Sequence, residues 1–239
     1  MQWISWEKLP DNMRTEEVRP YYDLLKKRRC GLFFKRVFDV VVSALMLILL
    51  SPVFLVLAIA IKIDSKGPVF YRQVRVTQYG KTFRIFKFRT MVQNADKIGT
   101  QVTVNNDSRI TRIGKLIRKC RLDELCQLID VFRGTMTFVG TRPEVPKYVE
   151  KYTPQMMATL LLPAGITSLA SICYKDEDEL LDGAEDVDKT YVEKVLPDKM
   201  RYNLQAIKKF GFWGDIKTMF MTVFAVLGKE YNIELEENV

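Results

Sequence analysis

The strongest pattern in this chain is an unbroken apolar run. In "FDVVVSALMLILLSPVFLVLAIAIKI" no charged side chain occurs from Val40 to Ile61, long enough to be weighed as a bilayer span. Ser51-Pro52 interrupts the run near its middle, and proline removes a helical hydrogen bond and bends the axis. The two arms hold about 11 and 9 residues, so each rises only ~15 Å, half the apolar thickness of a bilayer. Basic residues stand on both sides: Lys26, Lys27, Arg28, Arg29, Lys35 and Arg36 before, Lys62, Lys66, Arg72 and Arg75 after. Positive flanks favour the cytoplasmic side. The pattern therefore predicts a re-entrant helix hairpin over residues 35–66, broken at Ser51 and Pro52. A kinked single span is the alternative. A buried soluble helix fits less well, since few are apolar all round at this length.

Other segments carry weaker periods. "PVFYRQVRVTQYGKTFRIFKFRTM" alternates apolar and charged around Tyr79-Gly80, which predicts a β-hairpin. "DSRITRIGKLIRKC" sets Ile110, Ile113, Leu116, Ile117 and Cys120 at helical spacing. "CYKDEDELLDGAEDVDK" is acidic and reads as a solvated loop or helix face. In "AIKKFGFWGDIKTMFMTVFAVLG", Phe212, Ile216, Met219, Phe220, Val223 and Leu227 share a stripe behind Lys208 and Lys209. Such a helix suits a membrane interface or a core equally. These elements predict a mixed α/β fold: the hairpin, interfacial amphipathic helices and a small cytosolic sheet.

Composition narrows the function. The chain has 239 residues, is 48% apolar and carries a net charge of +8, which excludes a disordered chain and suits one elaborated domain. The cationic excess fits a nucleic acid, an anionic membrane surface or a phosphorylated substrate. No nucleic-acid motif accompanies it, so no nucleic-acid partner is expected. Histidine is absent, which excludes Ser-His and Cys-His nucleophile pairs and His-ligated metals. Chemistry must then rest on carboxylates, Lys, Arg, Tyr, backbone groups or a hard metal. Cys30, Cys120, Cys126 and Cys173 form no CxxC and read as reduced, buried thiols of a cytosolic compartment. The opening "MQWISWEKLPDNMRTEEVRP" has no signal-peptide pattern.

Several ordered motifs carry a resemblance. "KRVFDVVVSALMLILLSPVFLVLAIAIKIDSKGPVFYRQVRV", "KFRTM", "RIGKLIRKCRLDELCQLIDVFRGTMTFVGTRPE" and "PAGITSLA" resemble, in order, the bacterial sugar transferases called monotopic phosphoglycosyl transferases, over roughly residues 30–228. Ordered motifs at sensible distances are more specific than any one alone. The resemblance implies transfer of a sugar 1-phosphate from a UDP-sugar to polyprenol (undecaprenyl) phosphate, with UMP released. That step starts a capsule, O-antigen or glycoprotein glycan at the cytoplasmic face of the bacterial inner membrane. It further implies Asp123 as nucleophile, Glu124 as holder of Mg²⁺ (Mn²⁺ as a substitute), and contact with membrane lipid. A homo-oligomer and downstream glycosyltransferases are further expected partners. The resemblance divides the chain into an N-terminal cytosolic or interfacial segment (1–34), the hairpin (35–66), a catalytic domain (67–228) and a tail (229–239).

The residues agree with that division of labour. Neighbouring helix positions diverge by about 100°, so one acid can face phosphorus while the other faces a cation. Alone, the Asp123-Glu124 pair reads as ordinary acids complementing a helix start. Phosphate also needs cations, and Arg forks match its oxygens in pairs. Arg118 and Arg142 are the first candidates, then Lys87 and Arg89 of "KFRTM". The family pattern is not matched everywhere: Pro is common where Cys126 stands, Asn at Asp130, Asp at Thr135, Pro at Thr141, and "PAGITSLA" lacks a frequent Gly and Trp. These departures touch neither the dyad nor Arg142. A catalytically silent membrane scaffold for glycan enzymes is the alternative reading.

Overall fold

The computed structural model describes residues 3–95, 107–175 and 186–235. The acidic run after Cys173 falls mostly at 176–185, outside the described residues. The apolar run folds as α2 (Arg29–Leu49) and α3 (Ser51–Asp64), preceded by α1 (Arg19–Lys27). The axes of α2 and α3 differ by 60°. The local cause is legible: Pro52 has no N–H to offer the Ile48 carbonyl, and the Ser51 hydroxyl donates to it at 2.8 Å instead. The ladder continues on either side, with Leu50 N to Met46 O at 2.8 Å and Phe54 N to Leu50 O at 2.9 Å. Among the described residues no single helix is long and apolar enough to cross a membrane.

Helix α2 is inverted. Its buried positions are Leu32, Lys35, Asp39 and Ser43, which share one stripe at helical spacing. Phe33, Phe34, Val41, Leu45, Ile48 and Leu49 point outward. Lys35 Nζ donates to Asp215 Oδ2 at 2.6 Å and to the Val139 carbonyl at 2.8 Å. Asp39 Oδ2 accepts from the Thr137 hydroxyl at 2.7 Å. Arg36 donates to the Val131 and Phe132 carbonyls at 2.7 and 2.9 Å. The far end of α3 returns to the same body. There Ile61 is buried, and Asp64 Oδ2 accepts from Ile113 N at 3.0 Å.

The predicted hairpin forms: β1 (Phe70–Val76) pairs antiparallel with β2 (Thr82–Phe88), Phe70 opposite Phe88. Tyr79 and Gly80 turn it with φ of 59° and 71°. The small sheet expected is in fact two separate pairs, the second being β3 (Met136–Val139) parallel to β4 (Ala164–Thr167). Between them lie α4 (Arg112–Lys119) and α5 (Leu128–Arg133). Ile117 is buried under α4, but Leu116 and Cys120 are exposed, so its apolar stripe is narrower than the spacing suggested. The N-terminal segment and the helix Leu196–Lys208 share a core of Met13, Leu25, Leu161, Leu196 and Met200.

One expectation is corrected. Cys30 and Cys120 are exposed and Cys173 half-buried, and only Cys126 is fully buried; all four are free thiols. Helix caps and ends, where Cys30 and Cys120 lie, do not bury a side chain merely because it is apolar. The C-terminal helix Phe212–Val226, open in the sequence between interface and core, splits its apolar stripe: Phe212 meets Phe38 and Met219 packs on the core around Phe138. It buries Thr218 and Ala225, sets the Thr222 hydroxyl 2.6 Å from that of Thr167, and exposes Trp213, Phe220, Val223 and Leu227.

Gly165 on β4 lies against Gly140 just past β3. A Cβ on Gly165 would sit 2.2 Å from the Gly140 nitrogen and oxygen, while Gly214 has open space. Gly165→Ala should therefore cost about 3 kcal/mol through forced separation of the strands. Gly214→Ala should not destabilise. Thermal melts of the two variants check both, and an unshifted Gly165→Ala would contradict the packing.

Candidate active site

Helix α4 ends at Cys120, and Arg121 then takes a left-handed conformation, φ 54° and ψ 23°. A non-glycine residue there carries strain of about 1 kcal/mol or more. It reverses the chain into a 3₁₀ turn, Leu122–Gln127, which carries Asp123 and Glu124 in its first turn and runs directly into α5. In a 3₁₀ turn adjacent side chains diverge by about 120°, so the two carboxylates separate more than in an α-helix. Cys126 locks the turn from beneath, buried among Ile61, Phe86, Phe88 and Ile117.

Two cations converge on Glu124. Lys87, on β2, donates from Nζ to Oε1 at 3.0 Å. Arg142, on the loop after β3, forks across both oxygens, with NH1 to Oε2 at 3.1 Å and NH2 to Oε1. Asp130 on α5 fixes the strand that presents Lys87, accepting from Phe86 N at 2.8 Å. The Asp123 carboxylate takes part in no ion pair among the described residues. Arg118 reaches it by charge alone, its guanidinium making no hydrogen bond or ion pair among the described residues.

The neighbouring acids are driven in opposite directions. Burial pushes Asp123 above the ordinary aspartate value of 3.8, and the Glu124 charge adds to this; Lys87 and Arg118 oppose it. Burial also works against the Glu124 charge, yet Arg142 and Lys87, through charge and hydrogen bonds, hold it well below 4.5. Environments that split paired carboxylates this way assign them different roles.

Of the cations singled out in the sequence, Lys87, Arg118 and Arg142 gather around the dyad. Arg89 does not: its buried guanidinium donates to the Lys66 carbonyl at 2.9 Å, the Ser65 carbonyl at 2.6 Å and the Ser65 hydroxyl at 2.8 Å. It ties β2 to the end of α3, and among the described residues it makes no hydrogen bond or ion pair with the two carboxylates. Residues not singled out for the site line the other side of the Arg142 loop: Arg75, Glu144, Tyr191 and Lys199. Glu144 belongs to the visible "TRPE", but Tyr191 and Lys199 come from far along the chain and carry no local signal.

Hard oxygen donors are present for a divalent ion in the two neighbouring carboxylates of Asp123 and Glu124. Among the described residues no group of three or more acidic, His or Cys side chains could cage a metal. The donor set fits a cation shared with ligand phosphates and not a closed protein cage.

The sequence profile of the family described as bacterial sugar transferase matches residues 30–229. The chain belongs to the bacterial sugar transferase family. It is 38% identical over 221 residues to a UDP-glucose:undecaprenyl-phosphate glucose-1-phosphate transferase of Klebsiella pneumoniae, covering 88% of this chain and 44% of that one. It is 35% identical over 198 residues to a UDP-N-acetylgalactosamine-undecaprenyl-phosphate N-acetylgalactosaminephosphotransferase of Aeromonas hydrophila, covering 82% and 44%. A third relative, a UDP-glucose:undecaprenyl-phosphate glucose-1-phosphate transferase of Caulobacter vibrioides, is 34% identical over 196 residues, covering 81% and 69%. The chain thus spans less than half the length of the first two transferases, and the family match begins just after α1.

The split acids give opposite stability signatures. Glu124, depressed when folded, contributes stability above its unfolded value, and this is lost as pH falls through the folded value. Asp123, raised when folded, opposes folding once it must ionise above that raised value. At neutral pH Glu124→Gln should lower the melting temperature and Asp123→Asn should raise it. A change of about 1 kcal/mol corresponds to ~2–4 °C in a chain of this size. Shifts of the same sign would contradict the assignment.

Proposed function

We propose that this chain transfers a sugar 1-phosphate from a UDP-sugar to polyprenol phosphate by two displacements at one phosphorus. The observation that carries the reading is the contrast within the dyad: Glu124 is forked by Arg142 and bonded by Lys87, while Asp123 is partly buried and in no ion pair among the described residues. A carboxylate held by two cations is a poor nucleophile, and an unpaired one beside them is a competent phosphoryl acceptor.

In the first step an Asp123 oxygen attacks the β-phosphorus of the donor. The bond from that phosphorus to the bridging oxygen breaks, and UMP departs with that oxygen. In the second, a phosphate oxygen of polyprenol phosphate attacks the same phosphorus and releases the Asp123 carboxylate, giving a polyprenyl diphosphate sugar. Nucleophiles and leaving groups are all oxyanions of low proton affinity. Neither step requires a general acid or base, which suits a chain without histidine. Arg142, Lys87 and Arg118 would meet the phosphate oxygens and offset the charge gathered at the phosphorus. Glu124 would hold a Mg²⁺ or Mn²⁺ shared with the diphosphate. When bound, that ion supplies Lewis-acid stabilisation of the phosphoryl oxygens.

The inverted polarity of α2 and of the Phe212–Val226 helix supports a seat in the cytoplasmic leaflet of the bacterial inner membrane. Large apolar side chains stand outward on both, while Lys35, Asp39, Asp215 and Thr218 turn inward, unlike the usual soluble helix. Both ends of the bent pair return to one body, which suits entry and exit through a single face. The lipid acceptor would then meet the dyad at the membrane surface.

Purified chain with undecaprenyl phosphate and a panel of UDP-sugars should release UMP with at least one donor, and excess EDTA should abolish release. No UMP with any donor would contradict the reaction, and full turnover in EDTA would contradict the metal. Cysteines placed at Lys27 and Lys66 should both resist an impermeant thiol reagent in intact cells. Labelling at one position only would show a span.

A further inference from the structure

Behind the loop that carries Arg142 lies a buried ionic cluster that the transfer chemistry does not use. Glu144 Oε1 accepts from the Tyr191 hydroxyl at 2.6 Å. Lys199 Nζ stands 3.8 Å from the same oxygen and donates to the Tyr191 hydroxyl at 3.1 Å. On the opposite side, Arg75 NH1 stands 4.0 Å from Glu144 Oε2 and donates to the Pro143 carbonyl at 3.1 Å. The Glu144 carbonyl closes the arrangement by accepting from Val76 N at 2.9 Å. Glu144 is 6% exposed and Lys199 4%, so neither charge is supported by solvent.

The arrangement solves a problem of charge allocation. Arg142 and Glu144 are two residues apart, and a buried carboxylate lacking partners binds the nearest cation. Arg75 is meanwhile close enough to Arg142 for the two guanidinium charges to repel. Glu144 sits between these demands. It balances Arg75 and Lys199, which leaves the Arg142 fork directed at Glu124. Without its charge, the repulsion between Arg75 and Arg142 would lose the carboxylate that stands beside Arg75.

We propose that Glu144 is a positioning residue, held by Tyr191 and Lys199, that directs the Arg142 guanidinium to the diphosphate of the donor. The inference rests on the donor binding proposed above and adds a residue that acts through Arg142. It also assigns a role to the helix Leu196–Lys208, which carries Lys199 and closes the loop from behind.

The test uses the full chain in detergent micelles, with UDP as the probe and calorimetric affinity as the readout. Glu144→Gln should weaken UDP binding about tenfold, the scale of one coupled charged interaction. Tyr191→Phe, which removes a single hydroxyl and preserves the ring packing, should weaken it by a smaller factor. Neither should alter the KM for undecaprenyl phosphate. In an Arg142→Met background Glu144→Gln should cost no further affinity, because the effect travels through Arg142. Wild-type affinity in both single variants would overturn the inference, as would an undiminished loss in the Arg142→Met background, which is what a merely structural role produces. Should Glu144→Gln fail to fold, Tyr191→Phe alone and with Arg142→Met decides. A wild-type chain that binds UDP yet transfers no sugar phosphate contradicts the proposed reaction and leaves this coupling test in force. One that binds no UDP overturns the inference together with its premise.

Discussion

Lys35 and Asp39 bring two charges to the inward face of a helix whose outward face is almost wholly apolar. Desolvating such ions costs several kcal/mol each unless they are paired. Here Lys35 meets Asp215 and the Val139 carbonyl, and Asp39 meets the Thr137 hydroxyl. All of these partners lie on β3 or on the C-terminal helix. Helix α2 is therefore tied to the body by polar groups as well as by Phe38, Val42 and Met46 packed on the core, while Phe33, Phe34, Val41, Leu45, Ile48 and Leu49 stay exposed. Strand β3 receives most of these bonds, and it is the strand that delivers the loop bearing Arg142. The seat of the outer helices and the placement of the Arg142 loop thus share one set of contacts.

The site itself is a partition of charge. Glu124 with Lys87 and Arg142 forms one group, and Glu144 with Arg75 and Lys199 forms another. Asp123 belongs to neither. A strained residue at Arg121 and a 3₁₀ turn keep it apart from its neighbour. That separation permits two adjacent acids to differ in protonation preference and in task.

Much of this was legible in the sequence because it depends on local chemistry. Ser51-Pro52 predicts a bend from the missing N–H alone, and the Ser51 hydroxyl completes the same local account. The β1–β2 alternation predicts its own hairpin. The dyad is visible as a pair. Other features were hidden because they depend on distant partners. Arg89 sits in a basic motif, yet its role is decided by the Ser65–Lys66 turn. The stripe from Phe212 to Leu227 has the same period whether it faces a core or a bilayer, and distant partners decide which side turns inward: Lys35 for Asp215 and Thr167 for Thr222. Asp130, where the family commonly has Asn, accepts Phe86 N; either side chain supplies that oxygen, so the departure leaves the site intact.

The central claim is that Asp123 takes the phosphosugar covalently while Glu124 does not. The most direct measurement incubates the protein with a labelled UDP-sugar in the absence of lipid acceptor, quenches, digests and maps the labelled peptide by mass spectrometry. The account predicts the sugar phosphate on Asp123, one UMP released per labelled chain, and no adduct in Asp123→Asn. An adduct on another residue, or undiminished turnover in Asp123→Asn, would contradict it.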